Sequence, residues 1–313
     1  MLYWPNTMIV GPCILILGCH RSGTSALSRC AGILGANMPI DLMGPGLSNV
    51  TGHWEPSGIV EVSDAFLASQ NSSWADWTAI PLFEENPQQL DAWRISYHES
   101  IAASFPSPGP FALKDPRLCR IVPLVVQALA SKDICVTVCL SHRHPDAVAK
   151  SLMARPQDWP RGFSDAQAYL IWLRHVLDAE YYSRSHPRVR VNYEDLMSTP
   201  IAALTPLATL VPGLIDPKTK QLEISEFLRV DLQHWKEGKK QPKAKNPYLR
   251  RIAGFLADLQ HWIRGKEPSD PDAETPYRQM AIEVYGLLTA PTLDTEALDS
   301  ARQALGTLSP DPD

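Results

Sequence analysis

The chain has 313 residues, 44% of them hydrophobic and 20% charged, an ordinary globular composition with room for one large or two modest domains. Its formal net charge of −5 argues against a general nucleic-acid binder, and no apolar run reaches the roughly 18 residues of a membrane span. The opening stretch Met1–Met8 carries no basic residue, so a cytoplasmic location is expected rather than a secretory leader. The six cysteines (Cys13, Cys19, Cys30, Cys119, Cys135, Cys139) include no C-x-x-C pair, and they read as buried, reduced thiols rather than a zinc ribbon.

In chain order, Cys13–Leu17 is an apolar run that predicts a buried strand. Gly18-Cys-His-Arg-Ser-Gly-Thr-Ser25 follows it, and Ala26–Leu34 then reads as helix. A glycine-rich turn between a strand and a helix aims backbone N–H groups and a helix N-terminus at one point, which makes an anion site. The spacing is that of a phosphate loop, G-x-x-x-x-G-K-[S/T], except that Thr24 stands in the lysine's place and Arg21 is the loop's only strong cation. The segment Gly35–Pro56 is rich in Gly and Pro and reads as a long functional or mobile excursion. Trp54, Trp74, Trp77 and Trp93, in and after it, are either core or platforms for a sugar ring or another flat acceptor.

Further strands are expected at Phe111–Leu113, Ile134–Leu140 and Arg188–Val191. Helices are expected at Leu118–Ala130, Pro145–Ala154 and Asp165–Ser183, and from Pro200. Strands alternating with helices predict an α/β fold whose central parallel sheet is covered on both faces, with ligands at the carboxyl ends of the strands. Polar motifs do follow the strands: Gly18–Ser25, Lys114–Arg117 and Ser141–Pro145. Beyond Gln233, Lys236–Pro247 is basic and breaker-rich and reads as an exposed loop; Leu249–Arg264 and Thr275–Leu288 read as helices, and Ser309–Asp313 as a frayed end. Residues 1–235 are therefore expected to form the main domain, and 236–313 a basic loop and helical C-terminal extension packed on it.

Arg143 follows the third strand, and Ser151 lies eight residues later, a little over two helical turns along. An arginine fork and a hydroxyl so placed could clamp a second phosphate. A nucleotide triphosphatase would need the missing lysine and an acid to hold magnesium. No strand here ends in an apolar-apolar-Asp metal motif, Asp115 and Asp133 being the nearest approaches, so no metal is expected.

Taken together, these motifs resemble the sulfotransferase family, which uses 3′-phosphoadenosine-5′-phosphosulfate (PAPS). Arg21–Ser25 resembles its 5′-phosphosulfate loop in the arginine form of the carbohydrate and tyrosyl-protein branches. Arg143-His-Pro-Asp-Ala-Val-Ala-Lys-Ser151 resembles its 3′-phosphate motif, Lys114-Asp-Pro-Arg117 its K-D-P motif, and Val191-Asn-Tyr-Glu-Asp-Leu196 its later Y-E-D-L turn, all in family order. The resemblance implies a P-loop-type three-layer sandwich over residues 1–235. It implies sulfuryl transfer from PAPS to a hydroxyl or amine of an acceptor, with a carbohydrate or glycoconjugate favoured. His20, Arg21, Ser22, Gly23, Thr24 and Ser25 would hold the 5′-phosphosulfate, Arg143 and Ser151 the 3′-phosphate, and Lys114 the charge growing on the bridging oxygen. For the base that takes the acceptor's proton, Glu55 comes first and His53 second; the alternative reading of Glu55 is a cap on the helix expected near Pro56. Arg117 is expected to bind an acidic acceptor or to pair with a carboxylate. A P-loop kinase using ATP and magnesium, or a non-catalytic nucleotide-binding module, is the alternative.

Overall fold

The computed structural model describes residues 10–44, 52–78, 80, 82, 86–154, 163–228, 280–284, 286, 296, 299 and 302. Four strands, β1 (Val10–Leu17), β2 (Gly109–Lys114), β3 (Val136–His142) and β4 (Arg188–Asn192), form a parallel sheet in the order β2-β1-β3-β4. After β1 come α1 (Thr24–Ile33), α2 (Ser57–Ser69) and α3 (Pro87–Ser104); after β2 come a 3-10 turn (Pro116–Arg120) and α4 (Val122–Ala130). Helices α5 (Pro145–Met153) and α6 (Asp165–Tyr182) follow β3. Helices α7 (Tyr193–Ser198), α8 (Pro200–Leu210) and α9 (Gln221–Phe227) follow β4.

The two-residue period of the strands sorts their apolar side chains onto two faces. Cys13, Leu15, Leu17, Phe111, Leu113, Val138 and Leu140 pack with α3, α4 and Ala179 of α6. Ile14, Ile16, Ala112, Cys139, Val189 and Val191 pack with α1 and α8 on the other side. Both faces are covered, which is the expected three-layer arrangement and explains why the central strands are apolar on both sides.

One expected helix is two elements. The run from Leu118 to Ala130 is broken because Asp115 caps a 3-10 turn, Oδ1 accepting from Arg117 N at 3.0 Å, and Ile121 (φ −131°) leaves helical space before α4 begins. β3 starts at Val136 rather than Ile134, after Asp133 has turned the chain in a left-handed conformation (φ 57°). Cys135 lies just outside that strand and is exposed, unlike the other cysteines, which are buried; all six are unbridged. The boundary at 235/236, the loop Lys236–Pro247 and the helix Leu249–Arg264 lie outside the described residues. Within Thr275–Leu288, residues 280–284 and 286 are helical, and Met280, Ala281 and Val284 are buried against α6.

Register places the site. Ile16 pairs with Lys114 on one side and Cys139 on the other, and Leu17 pairs with Leu140, so the chain leaves β1, β2 and β3 along one rim. The helix after β1 covers one face and α6, after β3, reaches the other, so the crevice between these neighbouring strands is the topological switch point, the place where open α/β sheets as a class take their ligands.

Candidate functional site

The turn after β1 is tied to the end of β3. Ser22 N and Oγ donate to Cys19 O at 3.1 and 2.6 Å. Ser141 Oγ donates to Ser22 O, and Arg143 Nη1 to Arg21 O, each at 3.0 Å, so two loop carbonyls are engaged by β3 and its exit. Helix α1 starts at Thr24 with no acid in its first turn and, among the described residues, no side-chain cap, which leaves the positive end of its dipole and its first N–H groups facing the loop. Gly23, at the N-cap, has φ 92°, and a Cβ there would stand 2.3 Å from Tyr193 Cδ2, so only glycine fits. Tyr193 follows β4 and lies under the Arg143 guanidinium, 4.3 Å from ring centroid to Cζ. Arg21 Nε donates to Ser151 Oγ on α5 at 2.7 Å across 130 residues of sequence. The structure thus brings Arg21, Ser22, Gly23, Thr24, Ser25, Arg143 and Ser151 together. The His20 ring packs elsewhere, 4.4 Å from Trp74 and 5.9 Å from His175 between ring centroids.

An acid–base cluster adjoins the loop on the β2 side. Lys114, at the end of β2, is buried; its Nζ donates to Glu55 Oε1 at 2.5 Å, to His53 O at 2.6 Å and to Ser25 Oγ at 3.3 Å. Ser25 Oγ also donates to His53 O at 3.0 Å, which ties the 53–55 segment to α1. Trp54 between them is in the left-handed region (φ 56°), a strained conformation for an aromatic residue. Arg117 Nη1 lies 3.4 Å from Glu55 Oε2 and 3.0 Å from Asp115 Oδ1, and Arg117 Nε donates to Asp64 Oδ1 at 2.6 Å. Arg117 therefore pairs with carboxylates, and Lys114 pairs with Glu55. Glu55 does not cap α2; in the first turn of that helix Gly58 N donates instead to Asp41 Oδ2 at 3.0 Å.

Burial pushes the Glu55 carboxyl up, but the Lys114 ammonium, then Arg117 and His53, outweigh it and hold it below the usual carboxylate range. Asp115 goes the other way: burial raises it to about 6, with Arg117 pulling down and Glu55 pushing up. Burial works against the charge on Arg117, yet Asp115, Asp64 and Glu55 keep it firmly protonated.

Of Trp54, Trp74, Trp77 and Trp93, the last is core, stacked on Tyr97 at 4.8 Å. Trp54, Trp74 and Trp77 are half-buried. The loop bearing Trp74 and Trp77 is held by its carbonyls: buried Arg120 donates to Asp76 O and, at 2.6 Å, to Thr78 O, and Arg174 Nε donates to Trp77 O at 2.8 Å. Tyr193, Ser141 and Asp64 belong to the site although sequence reasoning gave them no role there, and Asp115, weighed in the sequence only as a metal-holding acid, pairs with Arg117. Tyr193 and Ser141 had a signal, since each stands at the carboxyl end of a strand; Asp64 had none.

No family model matches the chain, and no curated protein does. Among solved structures, a sulfotransferase domain from the Synechococcus PCC 7002 olefin synthase is 17% identical over 96% of each chain, with a TM-score of 0.39. A likeness that slight carries no weight for function, which rests on the geometry of the site.

Proposed function

We propose that the chain is a sulfotransferase that moves a sulfuryl group from PAPS to a hydroxyl or amine of an acceptor and releases adenosine 3′,5′-bisphosphate. The observation that carries this reading is the convergence of Arg21, Ser151 and Arg143 on the N-terminus of α1, with Lys114 and Glu55 beside Ser25. The donor set fits a nucleotide with phosphate groups at two ends. The N–H groups of Gly23, Thr24 and Ser25 and the Arg21 guanidinium suit the 5′ end; the Arg143 fork and the Ser151 hydroxyl suit the 3′-phosphate. His20 and Ser22 would serve through the loop backbone they shape.

PAPS supplies an activated sulfuryl group whose leaving oxygen needs a cation close by. In this reading Lys114 is that cation, and the Glu55 carboxylate takes the acceptor's proton as the acceptor oxygen or nitrogen bonds to sulfur. The 2.5 Å pairing links the two roles. While Lys114 faces Glu55 it keeps the base weak; as it turns to the leaving oxygen, Glu55 gains proton affinity when the proton must move. His53, half-buried two residues away, is the second candidate for the base. The half-buried Trp54, Trp74 and Trp77 support a carbohydrate or glycoconjugate acceptor, because indole faces suit sugar rings.

Incubation with ³⁵S-labelled PAPS and a panel of sugars, glycoconjugates and phenols tests this. Label is expected in a carbohydrate acceptor, with turnover lost in Glu55→Gln. Turnover intact in Glu55→Gln but abolished in His53→Ala would move the base to His53, and no label in any acceptor would contradict the transfer reading.

A further inference from the structure

Behind Glu55 lies a second acid that the transfer reaction does not use. Asp115 is fully buried; its Oδ1 accepts from Arg117 N and Nη1, both at 3.0 Å, and its Oδ2 has no hydrogen-bond partner among the described residues. The two oxygens of Glu55 are held by different cations, Oε1 by Lys114 at 2.5 Å and Oε2 by Arg117 Nη1 at 3.4 Å. Arg117 Nη1 is thus shared between two carboxylates and lies nearer to Asp115. Asp64, on α2, holds the other side of the same guanidinium at 2.6 Å.

We infer that Asp115 is a positioning residue that holds Arg117 back from Glu55, so that the base stays oriented without being silenced by a second close cation. The inference rests on the transfer reaction proposed above, in which Lys114 leaves Glu55 for the departing oxygen and Arg117 remains as its holder. Without the Asp115 anion, nothing on the 3-10 turn would compete for Nη1. The guanidinium would then close on Glu55 and lower its proton affinity further. Glu55 is faced by Lys114 from β2, Arg117 from the 3-10 turn and His53 from its own segment. Asp115 is faced by Arg117 and Glu55, by Tyr97 from α3 and by Cys119 from the 3-10 turn. Burial raises Asp115 to about 6, so it loses its charge, and with it the hold on Arg117, on mild acidification.

The test follows Glu55 directly, without nucleotide. The side-chain carboxyl carbon of Glu55 is titrated by NMR in ¹³C-glutamate-labelled protein, assigned with Glu55→Gln, in the wild type and in the near-isosteric Asp115→Asn. Asp115→Asn is expected to lower the Glu55 midpoint by at least about 0.5 pH unit. It should also cut kcat for label transfer about tenfold with the KM for PAPS unchanged. An unmoved Glu55 midpoint overturns the inference. If Asp115→Asn does not fold, Arg117→Gln serves: the Glu55 midpoint must rise, and no change overturns the inference equally. A shifted midpoint in a protein that transfers no label would defeat the transfer reading while leaving the coupling of Asp115, Arg117 and Glu55 standing.

Discussion

A single ammonium spans the two halves of the site: Lys114 Nζ is 2.5 Å from Glu55 and 3.3 Å from Ser25 Oγ at the head of α1. Residues that act only as the proton moves should affect turnover and spare binding. Glu55→Gln is therefore expected to lower kcat by about 10²- to 10⁴-fold while nucleotide affinity stays within about threefold, as steady-state kinetics beside calorimetry would read. Lys114 and Glu55 could each be picked out from the sequence, one from the K-D-P motif and one from the loop at Gly52–Pro56. Their pairing could not, because 59 residues separate them and no spacing rule joins a strand end to a distant loop. Asp115 was less legible still. Its grip on Arg117 depends on a 3-10 turn, and a lone acid after a strand gives no hint that a guanidinium folds back over it.

At the scale of elements, the strand–turn–helix unit β1–α1 was readable because each part has its own signal: an apolar run, glycines at both ends of the turn, and helical periodicity after it. Gly23 shows why the turn needs glycine. Its φ of 92° is costly for any other residue, and a Cβ would stand 2.3 Å from the Tyr193 ring. Gly23→Ala is expected to lower stability by about 1–3 kcal/mol, seen as a lower Tm, and to displace Tyr193 from beneath Arg143, so nucleotide binding falls more than the stability loss explains. The break before α4 was not readable. The run from Leu118 to Ala130 is apolar but for Arg120 and Gln127, and its continuity hides the turn that aims Arg117 at Glu55 and Arg120 at the tryptophan loop.

Across the whole molecule, α6 is joined to β3 and β4 by a buried charge cluster remote in sequence from the loop. Glu180 Oε1 accepts from Arg190 Nε at 2.7 Å and lies 3.0 Å from His142 Nε2, while Oε2 accepts from Arg190 Nη2 at 2.7 Å and Arg188 Nη1 at 3.1 Å. Burial pushes Glu180 up, but His142 and Arg190 outweigh it and bring it from 4.5 down to about 2. A lowered native pKa means that the unfolded chain binds the proton more tightly. The ionised carboxylate thus adds about 3 kcal/mol above pH 4.5, and this is lost as pH falls towards 2. Urea unfolding between pH 3 and 6 should show this slope, and Glu180→Gln should flatten it and cost about 3–5 kcal/mol at neutral pH. The parallel sheet and its two covered faces follow from apolar strands alternating with helices. The cluster that locks α6 does not, since its members come from β3, α6 and β4 and meet only once the sheet has formed.

The central claim is a two-ended phosphate site built on α1, Arg21, Arg143 and Ser151, and calorimetric titration with adenosine 3′,5′-bisphosphate, against ATP with magnesium, tests it most directly. Binding of the bisphosphate that needs no added metal and weakens about 100-fold in Arg143→Ala is the predicted result. Tight, magnesium-dependent binding of ATP with none of the bisphosphate, or bisphosphate binding indifferent to Arg143→Ala, would contradict it.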